Sequence, residues 1–75
     1  VITWDLPEDG TVEVSIHDTR GRRIRTLVSG YRDAGPGETS WDGLLDNGAT
    51  APSGIYHLRL EWNGQIDSRK LTLVR

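Results

Sequence analysis

From Ile55 to Trp62 the chain alternates without a break, and this run limits the available folds more than any other segment. Tyr56, Leu58, Leu60 and Trp62 share one parity, while His57, Arg59 and Glu61 share the other. A period of two places successive side chains on opposite faces, so the segment is a strand with one face in a core. It ends on Asn63-Gly64, which suits a type I′ turn because both residues accept positive φ. The chain then returns as Gln65 to Val74, with Leu71 and Leu73 inward. Ile66 has the opposite parity to those two, which predicts a bulge or a twisted start around Asp67-Ser68.

The same alternation recurs upstream. Val1 to Leu6 places Ile2, Trp4 and Leu6 on one face, and Pro7-Glu8-Asp9-Gly10 ends the run with turn residues. Thr11 to His17 points Val12, Val14 and Ile16 inward and Glu13, Ser15 and His17 outward. Its β-branched residues favour a strand. Asp18-Thr19-Arg20-Gly21 turns the chain into a return strand, Arg22 to Ser29. Ile24 and Leu27 are three apart, so a bulge near Arg25-Thr26 is needed to bring both inward. Gly30 to Thr39 reads as a loop with a short extended piece ending in Ser40-Trp41. Asp42 to Ser53 reads as a long connection rich in Gly, Asn, Asp and Pro.

No window has helical periodicity and no repeat is visible. The expected fold is all-β, an immunoglobulin- or fibronectin-III-like antiparallel β-sandwich of six or seven strands. The expected core is Ile2, Trp4, Leu6, Val12, Val14, Ile16, Ile24, Leu27, Trp41, Tyr56, Leu58, Leu60, Leu71 and Leu73. Residues 1–75 are read as one domain. The start at Val1 suggests a piece of a longer product.

Composition narrows the function classes. The net charge is −2, with acidic and basic residues interspersed, so nucleic acid is not an expected partner. No apolar run is long enough for a transmembrane segment. With no Cys there is no disulfide framework and no thiolate metal site.

The candidate sites each have a structural reading. Trp41 and Tyr56 have the chemistry of a sugar platform. As core, Tyr56 would bond nearby backbone in the manner of a tyrosine corner. Asp42, Asp46 and Asn47 offer clustered oxygens for calcium, but their spacing fails the known loop pattern, and such residues usually bond their own turns. His17 and His57 point outward with no Cys beside them, and neither Ser15 nor Ser40 sits in a nucleophile motif. No catalytic, cofactor-binding or metal residue is therefore expected. A weak interaction surface remains in Arg20, Arg22, Arg23 and Arg25, with Trp62 beside its turn. Glu13, Asp18 and Asp33 are available to neutralise that arginine hairpin.

Several segments together resemble a known family. They are Leu6-Pro7-Glu8, the Val12-Val14-Ile16 strand, Asp18, and Gly21-Arg22 with Ile24-Arg25-Thr26-Leu27. Trp41-Asp42-Gly43, Asn47-Gly48, Pro52-Ser53-Gly54-Ile55-Tyr56 and the closing Arg69 to Arg75 complete the set. The chain resembles the FlgD-type immunoglobulin-like domain, named for the flagellar hook-capping protein. Its last strand looks more like the C-terminal copies on large secreted bacterial proteins. In some lineages a similar domain is a sorting signal for the type 9 secretion system. His17 departs from the pattern, standing where the family usually has Tyr.

The resemblance implies a non-catalytic, extracellular or cell-surface accessory domain serving spacing, export recognition or surface attachment. Its partners would be other domains of the same polypeptide or the export and surface machinery. One alternative is self-assembly into a filament or cap through edge strands, with Val1–Leu6 and Leu71–Arg75 as donors. Another is a glycan-binding module using Trp62 and the arginine hairpin.

Overall fold

A computed structural model describes residues 2–74. The predicted start at Val1 and the end of the last strand at Arg75 lie outside them. Six strands follow in order: β1 (Ile2–Leu6), β2 (Gly10–His17), β3 (Arg23–Arg32), β4 (Gly35–Thr39), β5 (Gly54–Trp62) and β6 (Gln65–Leu73). They form a two-stranded sheet, β1-β4, and a four-stranded sheet in the order β3-β2-β5-β6, all pairs antiparallel. The all-β sandwich expected from the alternation is what forms.

The core follows the parity of the strands. Val12, Val14 and Ile16 on β2 have no solvent exposure, and Leu6, Val28, Ala51, Tyr56 and Leu58 join them in one cluster. Ile2, Trp4, Ile24, Leu27, Trp41, Leu45, Leu60, Trp62, Leu71 and Leu73 are half-buried around it. Val28 and Ala51 belong to this core although their positions did not mark them for it. The Asn63-Gly64 turn has φ of 45° and 82°, the signs a type I′ turn requires.

Three local readings change. The Gly30–Thr39 stretch is not a loop. β3 runs on to Arg32, and Gly35–Thr39 is β4, paired residue by residue with β1. Its Gly-Pro-Gly composition is tolerated because β4 pairs on one side only, where proline costs no ladder bond. Gly37 also lies directly under the indole of Trp4, its cross-strand partner, where a Cβ would overlap the ring. Gly37→Ala is expected to cost about 1–3 kcal/mol, because the ring must shift off its seat. A denaturant melt checks this, and Trp4 fluorescence should report the displaced ring.

The second change is in β3. Val14 faces Val28 and Ser15 faces Thr26, so Leu27 is an extra residue; Ile16 faces Arg25 and His17 faces Arg23, so Ile24 is another. There are two bulges, one at each apolar residue, rather than one near Arg25-Thr26. The third is in β6, where register against β5 is unbroken from Gln65 to Leu73. No bulge forms at Asp67-Ser68, and Ile66 is left 53% exposed on the outer face.

The 42–53 connection has a structural task. A bridge between Leu44 and Thr50 closes it into a small hairpin. Its backbone then reaches the bulged edge of β3. Asp46 N–H donates to the Ile24 carbonyl at 3.0 Å, and the Thr26 N–H donates to Asp46 Oδ1 at 3.0 Å. Arg25 donates to the Leu45 carbonyl at 3.3 Å. The loop thus covers edge groups that would otherwise invite another strand.

Candidate functional site

Trp41 and Tyr56 anchor that loop to the sheet. Their rings meet edge to face, with centroids 5.1 Å apart and planes at 72°, a preferred aromatic geometry. The Trp41 indole N–H donates to the Leu44 carbonyl at 2.9 Å, and the Tyr56 hydroxyl donates to the Pro52 carbonyl. Tyr56 is buried and the two rings stand edge to face, so the pair forms no flat platform for a sugar.

The calcium candidates are already hydrogen-bonded, two of them within their own turns. Asp42 Oδ1 accepts the Leu44 N–H at 3.0 Å, and Asn47 Oδ1 accepts the Ala49 N–H at 2.9 Å. Asp46 is committed to Thr26. Among the described residues no group of three or more acidic, His or Cys side chains is placed to hold a metal.

Ser15 is not an outward, solvated residue. It is 2% exposed, flanked across the sheet by Thr26 and Arg59. His17 Nδ1 lies 3.3 Å from the Gly21 carbonyl, which only accepts, so Nδ1 carries the proton. The Ser15 hydroxyl therefore donates to His17 Nε2, at 2.9 Å. The pair looks like a nucleophile beside its base, but burial closes Ser15 to any substrate. The histidine instead ties β2 to its turn. His57, directly opposite on β5, is exposed.

The arginine hairpin is largely neutralised. Arg22 Nε pairs with Asp18 at 3.0 Å, Arg23 with Glu13 at 3.3 Å, and Arg25 with Asp42 at 3.7 Å. Only the Arg20 guanidinium has no partner among the described residues; its backbone N–H donates to Asp18. Asp33 takes no part in these pairs. Trp62 does not join this surface either. It stands opposite Val12, at the other end of β2 from the hairpin. Its indole N–H is buried and unbonded, beside Gly10.

Asp18 is the turn's organiser. The Arg22 N–H, the Arg22 side chain and the Arg20 N–H all donate to it. These bonds, led by that of the Arg22 backbone, hold its carboxyl below the ordinary carboxylate value. A pKa lower in the folded chain gives stability that is present above the unfolded value and lost as pH falls through the folded one. Asp18→Asn is therefore expected to flatten part of the acid limb when melting temperature is followed from about pH 5 to about pH 2.

The second cluster of side chains lies at the Trp62 end. Trp4, Asp5, Trp62, Gln65, Asp67 and Arg69 line a shallow cleft between β1 and β6. It draws on β1 and on the β5-β6 hairpin, far apart in sequence, so no local motif announces it.

A two-stranded and a four-stranded antiparallel sheet around one apolar core define a β-sandwich module. The family model for the FlgD Ig-like domain matches residues 1–65. The chain belongs to that family. It is 39% identical over 49 residues to the "Basal-body rod modification protein FlgD" of Escherichia coli (strain K12), covering 65% of this chain and 21% of that protein. The protein of the same name in Salmonella typhimurium matches at the same identity and coverage. The chain therefore spans about a fifth of the length of these curated relatives. No solved structure is a significant match.

Proposed function

We propose that residues 1–75 form one non-catalytic accessory domain of a larger exported bacterial protein, at or beyond the cell surface. It serves spacing, export recognition or surface attachment, and its partners are other domains of the same polypeptide or the export machinery. Membership of the FlgD Ig-like family carries this reading, together with the small share of the relatives that the domain occupies. Among the described residues no helix is long and apolar enough to cross a membrane. The finer reading, a C-terminal sorting role, draws on the closing sequence Lys70-Leu71-Thr72-Leu73-Val74. Deleting the domain from the full-length parent tests it. Export or retention at the surface should fail while any activity of the remaining domains persists. Unchanged export and attachment would overturn the reading.

A second reading is assembly through an edge strand. β6 ends the four-stranded sheet, with nine residues paired on one side only, and such an edge is open to another chain. Light scattering decides it: mass should rise with concentration, and a strict monomer at high concentration excludes it.

A further inference from the structure

The inward parity of β6 changes character halfway along the strand. Leu73 and Leu71 stand opposite Gly54 and Tyr56 and are half-buried against the core. Arg69, Asp67 and Gln65 stand opposite Leu58, Leu60 and Trp62 and therefore lie on the same face, yet they are polar and exposed. A core-facing run that turns polar breaks the sheet's own pattern, and such breaks occur where a fold serves a site. The two-stranded sheet stops at β1 and leaves this half of β6 uncovered, forming a cleft of about 290 Å³.

Two indoles line the cleft, Trp4 from β1 and Trp62 from β5. Both are held in place. Trp4 lies on Gly37, and Trp62 packs against Gly10, where a Cβ would come within 2.7 Å of its Nε1. Each glycine makes the room its ring needs, so the two rings are set before any ligand arrives. Beside them, on the inward face of β6, stand the Gln65 amide, the Asp67 carboxylate and the Arg69 guanidinium. Arg69 Nη2 pairs with Asp67 Oδ2 at 3.2 Å, which leaves Asp67 Oδ1 without a partner among the described residues.

We propose that this cleft is a binding site for a neutral oligosaccharide. An indole face packs on the C–H face of a pyranose ring, while carboxylate, amide and guanidinium groups pair with its vicinal hydroxyls. The Asp67 carboxylate and the Arg69 guanidinium offset each other, so this face offers no net charge to an ionic ligand and suits an uncharged polyol. The size is near the lower bound of about 300 Å³ for ligand sites, enough for one or two sugar rings. The inference is independent of the accessory-module reading and places the sugar away from the arginine hairpin.

The test is an NMR titration of the 75-residue chain with cellotetraose, maltotetraose and chitotetraose. At least one should shift the Trp4 and Trp62 indole signals and the Gln65 amide, saturating at millimolar or lower concentration. The Asp67→Ala/Arg69→Ala double variant replaces exposed side chains, so it should keep the melt and bind about tenfold more weakly. No shift with any of the three sugars would overturn the proposal, as would undiminished binding by the double variant. It would also be overturned if an extended apolar peptide, but no sugar, moved the same signals; the cleft would then accept a strand.

Discussion

Trp41→Ala is expected to destabilise the domain by about 3–5 kcal/mol in denaturant unfolding, the range for truncating a packed tryptophan. The ring does more than fill space. It meets Tyr56 edge to face and holds the Leu44 carbonyl, so it fixes the start of the 42–53 loop to the sheet. Tyr56 fixes the other end through Pro52. Losing Trp41 should therefore release the loop from the β3 edge as well. Amide exchange at Thr26, whose N–H bonds Asp46, should rise in step with the loss of stability. Tyr56→Phe is the matching control, removing one hydroxyl bond at a cost of about 1 kcal/mol. A cooperative melt near the original temperature in Trp41→Ala would show that the aromatic pair is not what holds the loop.

Ile16→Ala is the second large effect, at about 2–5 kcal/mol. Ile16 is the largest side chain with no exposure, on a central strand between Arg25 of β3 and Leu58 of β5. A cavity there has strands on both sides and little freedom to collapse. Set against the 5–15 kcal/mol typical of whole domains, the change brings a chain this small close to unfolding. Ile66→Ala provides the contrast, because Ile66 faces solvent and its loss should stay within about 0.5 kcal/mol. Similar costs at the two positions would mean that the register of β6 is wrong.

The strands with clean alternation, β1, β2 and β5, were legible because period two and burial coincide there. β4 was not. Gly35-Pro36-Gly37 has the composition of a loop, and the reason for Gly37 is an indole from a strand more than thirty residues earlier. The β3 bulges were half legible. The spacing of Ile24 and Leu27 demanded an irregularity, but only the pairing with β2 shows that each residue needs its own. Ile66 invited a bulge because an apolar residue off parity looks misplaced; the sheet instead leaves it in solvent, which costs little for one residue.

Parity also assigned Ser15 to water, and neighbouring side chains on the outer face bury it. Among the site candidates, the turn roles of Asp42 and Asn47 follow from local chemistry and were readable. The separation of Trp62 from the arginine hairpin was not, because it depends on which end of β2 each one faces. The cleft was invisible for the same reason. Trp4 and Asp67 share it only through the packing of two sheets.

The central claim is that this domain serves a larger exported protein. An immunoblot of fractionated source cells, with an antibody raised against the domain, tests it most directly. The account predicts a band much larger than 8.4 kDa in the surface or medium fraction. A band of that small mass confined to the cytosol would contradict it.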